Sequence, residues 1–227
     1  MRATFVRRLP VTAGIALMLG VGAFTATGHS PLGPLTLVSA SGTTHCNGTL
    51  APGEYHAVAV EEGRTCTIGS SVKVDYDVTV ESDATLNDLG ANVGHNINAD
   101  ERATLNIRGT TGYEGSFAKV GNDINADAVA EKVTIIDTHV GHEIEIEGAT
   151  GSVRIESDAV ANDLQVTSAK GRVDVSNNHV GHNLIIEHDT GSTTVDNNTV
   201  GHDATCNHNP MFSGAGNTAG HSNTCNM

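Results

Sequence analysis

The motif Val120-Gly121-Asn122-Asp123-Ile124 returns 20 residues later as Val140-Gly141-His142-Glu143-Ile144. It returns again as Val160-Ala161-Asn162-Asp163-Leu164, Val180-Gly181-His182-Asn183-Leu184 and Val200-Gly201-His202-Asp203-Ala204. Upstream, Val93-Gly94-His95-Asn96-Ile97 and the degenerate Val74-Asp75-Tyr76-Asp77-Val78 continue the series, and Ala219-Gly220-His221 closes it. A fixed period of this length marks a chain built from stacked structural repeats, each too small to bury its apolar face alone. Helical repeats need apolar spacings of three and four over 30 or more residues, and propeller blades need about 40 residues.

Short alternating segments lie between the motifs: Val133-Thr134-Ile135, Val153-Arg154-Ile155 and Val173-Asp174-Val175, with Ile144-Glu145-Ile146 and Leu184-Ile185-Ile186 just after the motif. Alternation puts one side of each strand inward. Gly151, Gly171 and Gly191 recur in a third register, read as a corner that needs positive φ. Three short strands and their turns per repeat predict an all-β fold: a parallel β-helix, or β-solenoid, of about eight coils. The general preference for right-handed parallel connections makes right-handed winding the expectation. Aromatic residues are only 3 % and Trp is absent, which suits a narrow core of Val, Ile, Leu and Ala. The register breaks once, with 27 residues from Val93 to Val120, so a loop of about seven extra residues is expected around Gly109 to Ser116, carrying Tyr113.

Residues 1–28 read as a signal peptide. Arg2, Arg7 and Arg8 precede an apolar run from Val11 to Phe24, and Ala26-Thr27-Gly28 supplies small residues for cleavage. Residues 29–43, rich in Pro, Gly and Ser, are expected to be a flexible segment, and residues 44–227 the solenoid. Removal of the three leader arginines leaves 26 acids against 9 bases, a surface that repels nucleic acid and anionic lipid. Four cysteines in an exported chain predict disulfides. Cys46 and Cys66 are 20 residues apart and Cys206 and Cys225 are 19 apart, about one coil each. Coils about 4.8 Å apart fall within the Cα separation that a disulfide spans. Bridges Cys46–Cys66 and Cys206–Cys225 would pin the two terminal coils, where each has one neighbour fewer.

Over residues 44–227 the chain resembles the uncharacterised secreted β-solenoid proteins common in actinobacteria, which carry repeats near Val-Gly-Gly-Asn-Leu and a tail like Cys206-Asn207-His208-Asn209-Pro210. The resemblance implies the fold and export, and transfers no catalytic residue. Where those proteins have the second Gly of the repeat, this chain carries His95, His142, His182, His202 and His221.

The position two after the motif Val forms a column: Tyr76, His95, Asn122, His142, Asn162, His182, His202, His221. His182, His202 and His221 fall on consecutive coils, and neutral imidazoles about 4.8 Å apart are candidate ligands for a shared Zn, Cu or Ni ion. His139 and His179 are candidates to thicken that cluster, and His188 and His208 form a second stacked pair. The next position is mostly acidic (Asp77, Asn96, Asp123, Glu143, Asp163, Asn183, Asp203) and reads as solvated carboxylates that splay apart or share a cation. Asn177-Asn178 under Asn197-Asn198 predicts an amide ladder.

Stacked carboxylates meet the spacing of glycosidic chemistry trivially. The bases Lys119, Lys132, Arg154, Lys170 and Arg172 look scattered in the sequence, and aromatics to stack on sugars are few. No nucleophile elbow or phosphate-binding glycine loop is present in the sequence. The expectation is a secreted or cell-surface structural, envelope-associated or adhesive solenoid without catalytic activity, whose partner would be an envelope glycan or protein. The alternatives are an extracellular transition-metal-binding protein and a polysaccharide-active enzyme.

Overall fold

A computed structural model describes residues 42–110, 117–127 and 131–227. The leader and most of the expected flexible segment lie outside the described residues, as do 111–116 of the expected loop, with Tyr113.

Among the described residues the chain forms 27 strands, from β1 (Thr43–Cys46) to β27 (Thr218–Ala219), and no helix. Each strand pairs in parallel with the strand three places later, which gives three nine-stranded sheets. One sheet starts at β1, the second at β2 (Gly48–Thr49) and the third at β3 (Gly53–Tyr55); they are called A, B and C here. The chain visits A, B and C once per coil, the architecture that the 20-residue period predicts.

Alternating burial follows the sequence pattern. In sheet A the column Val78, Ile97, Ile124, Ile144, Leu164, Leu184 is fully buried, and in sheet C Val93, Val120, Val140, Val160, Val180 and Val200 stack at no more than 3 % exposure. Branched aliphatic side chains suit this stacking because each packs against a copy of itself one strand away, and burying one contributes roughly 1.5–3 kcal/mol.

The corners differ from expectation in an instructive way. Gly151, Gly171 and Gly191 do not hold positive φ. The left-handed positions are taken by Asp137, Ser157, Asn177 and Asn197 at the turn from sheet B to C, and by Ser168, His188 and His208 at the turn from A to B. Short polar side chains tolerate that conformation. The glycines answer a different need, close approach: a Cβ on Gly171 would run into the carbonyl of Gly151, and one on Gly191 into that of Gly171. The motif glycines Gly121, Gly141 and Gly201 are crowded in the same way by the coil before.

Both disulfides form, Cys46–Cys66 with Cα atoms 5.5 Å apart and Cys206–Cys225 at 4.9 Å. The second follows the coil register, since Ala204 bridges Asn223 two residues earlier. The first does not. Cys46 lies opposite Val60 in sheet A while Cys66 lies opposite Gly48 in sheet B, because the first coil advances only 14 residues from Thr43 to Ala57. The bridge therefore joins neighbouring sheets across a corner.

The glycine column yields a direct test. Gly171→Ala should lower stability by about 1–3 kcal/mol through backbone displacement, read as a drop in thermal midpoint. Gly69→Ala, with open space around its Cβ, should be close to neutral.

Candidate functional site

The histidine column is continuous along one corner. Backbone N–H groups of His95, Asn122, His142, Asn162, His182, His202 and His221 each donate to the carbonyl of the column member one coil earlier, and Tyr76 donates to His56, which starts the series. Rings touch at both ends: His56–Tyr76 at 4.3 Å and Tyr76–His95 at 4.8 Å, then His182–His202 at 5.0 Å and His202–His221 at 4.0 Å between centroids.

The three histidines singled out from the sequence stack as expected, but their donors are not equivalent. His142 Nδ1 lies 2.6 Å from Asp123 Oδ1 and His182 Nδ1 lies 2.9 Å from Asp163 Oδ1, so each imidazole rests on the carboxylate of the preceding coil. The hydrogen bond and charge of Asp123 raise the pKa of His142. His182 Nδ1 also meets Asn183 Nδ2 at 2.8 Å. His202 would reach back to Asn183, where the acid column is interrupted. Its Nδ1 instead stands 2.9 Å from Oδ2 of Asp203 on its own coil, and is shielded from solvent there. His202, Asp203 and His221 each offer a ligand atom, all within 4.8 Å of one another.

The remaining histidines do not join them. His139 and His179 are separated in register by Ala159, and His139 stacks on Phe117 at 4.1 Å. His188 and His208 stack at 4.7 Å and 8° between ring planes, as turn residues with φ near 60°.

The acidic column is a brace, which corrects its reading as solvated carboxylates. Asp77 Oδ1 accepts the N–H of Asn96, Asn96 Oδ1 that of Asp123, Asp123 Oδ1 that of Glu143, Asp163 Oδ1 that of Asn183, and Asp203 Oδ1 that of Ser222. At this corner the strand ladder bends away, and a side-chain oxygen takes the backbone donor instead. Asn and Asp serve alike, which explains their interchange. The Ser222 N–H, with His202 and His221 nearby, holds Asp203 below the usual carboxylate range.

A second polar ladder is internal. Asp158 Oδ1 accepts the N–H of Thr138, Asn178 Oδ1 that of Asp158, Asn198 Oδ1 that of Asn178, and Asn217 Oδ1 that of Asn198. The amides also link Asn178 to Asn198 and Asn198 to Asn217 at 3.0 Å. The expected ladder thus runs through Asn178 and Asn198, while Asn177 and Asn197 make the turn. Buried acids are less well served. Asp158 leaves Oδ2 without a hydrogen-bond partner among the described residues, and so does Asp88, which points inward in a column between Ile68 and Ile107. Burial pushes Asp88 up to about 7 and Asp189 up to about 6.

The outward face of sheet B corrects another expectation. Lys132, Arg154 and Arg172, which look scattered in the sequence, gather with Arg108 around an open groove of about 630 Å³. Lys132 and Arg172 share one register two coils apart, and Arg154 lies between Thr134 and Asp174. Arg154 pairs with Glu156, and Arg172 with Asp174 at 2.7 Å. Among the described residues, no carboxylate pairs with Lys132 or Arg108.

Comparison with protein-family models, with curated proteins and with solved structures returns no match.

The buried acid supplies a pH test. Because Asp88 binds its proton more tightly folded than at the ordinary 3.8, its contribution is intact below about pH 4 and is lost as pH rises toward 7. Asp88→Asn keeps an acceptor for the Ala91 N–H, which Asp88 holds at 2.7 Å, and removes the titration. The stability of the variant relative to the parent should increase steadily between pH 4 and 7 and level off above, measured by thermal melts across pH.

Proposed function

We propose that the chain is an exported β-solenoid with a structural, envelope-associated or adhesive role, and that its contact surface is the groove on sheet B, facing an anionic envelope glycan. The observation that carries this reading is the collection of Arg108, Lys132, Arg154 and Arg172 on one face, four of the chain's 12 Lys and Arg against 26 acids. Asp174 and Asp196 line the groove too, so its surplus of positive charge comes from Arg108 and Lys132, and a positive groove on an acidic body favours a polyanion in one orientation and repels it elsewhere. Ser152, Ser176 and Thr194 line the same groove and offer hydroxyls to sugar oxygens.

Two disulfides suit an oxidising compartment and support export. The carboxylates of the outer column hold backbone N–H groups, an engagement that favours a bracing role over acid–base chemistry.

Cosedimentation with insoluble envelope polysaccharide tests the proposal. Binding should weaken between low and physiological salt, where screening shortens to about 8 Å, and Arg108→Glu with Lys132→Glu should weaken it about tenfold while leaving the thermal midpoint in place. Binding that ignores both salt and the double variant would refute the groove as the contact.

A further inference from the structure

His202, Asp203 and His221 form a donor set distinct from the rest of the histidine column. From this arrangement we propose that they bind one divalent transition-metal ion, with zinc as the probe, and that the ion ties the last coil to the one before it.

The set is created by one interruption in a repeated pairing. In earlier coils a histidine Nδ1 rests on the carboxylate below it, as His142 does on Asp123 and His182 on Asp163. Asn183 removes that carboxylate from beneath His202. His202 Nδ1 is shielded from solvent, and the side-chain atom it faces is Asp203 Oδ2 at 2.9 Å, on its own coil. An imidazole nitrogen and a carboxylate oxygen that already face each other are a ready pair of ligand atoms, which a cation entering between them has only to part by a few tenths of an ångström. Asp203 is fixed for the task, because its Oδ1 accepts the Ser222 N–H at 2.9 Å and leaves Oδ2 toward the histidines. His221 completes the set from the next coil, its ring 4.0 Å from that of His202 and set edge-on at 66°.

Two imidazoles and a carboxylate are an established zinc donor combination, and a water fills the fourth tetrahedral place. Metal–ligand bonds of about 2.0–2.2 Å put tetrahedral donors about 3.3 Å apart. The present separations, all within 4.8 Å, come to that by small rotations of the half-buried His202 and Asp203 and a larger one of the exposed His221. His182 stands outside the set, its Nδ1 directed at the Asp163 carboxylate of the coil before. Because His202 and Asp203 belong to one coil and His221 to the next, the ion bridges the coils that the Cys206–Cys225 disulfide also joins. Metal binding and the disulfide thus act on the same end of the stack.

The test uses the folded, oxidised protein. Calorimetry with zinc should give one site per chain with a dissociation constant in the micromolar range or tighter, and cobalt(II) should show the visible bands of tetrahedral coordination. His202→Ala and His221→Ala should each weaken zinc at least about tenfold, and Asp203→Asn, which keeps the acceptor for Ser222, should also weaken it. His182→Ala should leave affinity within about threefold. Zinc should raise the thermal midpoint of the parent and not that of His221→Ala. Binding no tighter than millimolar overturns the proposal. So does a loss from His182→Ala as large as that from His221→Ala, which would assign the metal to the whole column.

Discussion

Parallel stacking at one coil per strand spacing places every residue directly over its counterpart, and most of this structure follows from what tolerates that superposition. Aliphatic side chains stack on themselves with gain, so Val, Ile and Leu fill the inner columns of all three sheets. Backbone stacked on backbone at a tight corner leaves no room for Cβ, so Gly151, Gly171 and Gly191 recur one coil apart. Polar groups are the difficult case, because a donor needs an acceptor and a repeat offers identical groups. Asn resolves it by carrying both. Its oxygen takes the N–H of its neighbour and its nitrogen reaches another neighbour's oxygen, as Asn178, Asn198 and Asn217 do in the interior.

Carboxylates in such columns solve half of the problem. Asp accepts the backbone N–H as well as Asn does, but a second oxygen is left over. On the surface that oxygen meets water or a histidine, and the pairs His142–Asp123 and His182–Asp163 are the outcome. Inside, at Asp88 and Asp158, it has no hydrogen-bond partner among the described residues, and burial raises the pKa of both, as it does that of Asp189. The column at the outer corner is therefore bracing first, and its capacity for cations arises only where the pairing is broken, beneath His202.

The fold was legible in the sequence because a period of 20 with alternating aliphatics admits few architectures, and the Cys206–Cys225 bridge was legible from the same period. The details that escaped share one cause: periodicity shows which residues stack and not which way a backbone turns or a donor points. Glycine recurrence looked like positive φ and was close approach. The acidic column looked solvated and was hydrogen-bonded to the next coil. Arg108 precedes the break in register, so its place beside Lys132 and Arg154 could not be counted out in steps of 20, although Lys132 and Arg172 could. The shortened first coil hid the cross-corner path of the Cys46–Cys66 bridge behind a separation of 20. His182, His202 and His221 were rightly placed on one column, while the distinction among them depends on Asn183, visible in the sequence as the one amide flanked by Asp163 and Asp203.

Residue-resolved hydrogen exchange tests most directly the claim that side-chain oxygens complete the coil-to-coil ladder where the backbone cannot. The N–H groups of Asp158, Asn178 and Asn198 point at side-chain oxygens of the next coil at 2.9–3.0 Å. They should exchange as slowly as the strand amides of Ile155, Val175 and Val195, which stack in register on sheet B of the same coils. Rapid exchange at those three corner amides, with the strands around them protected, would contradict the account.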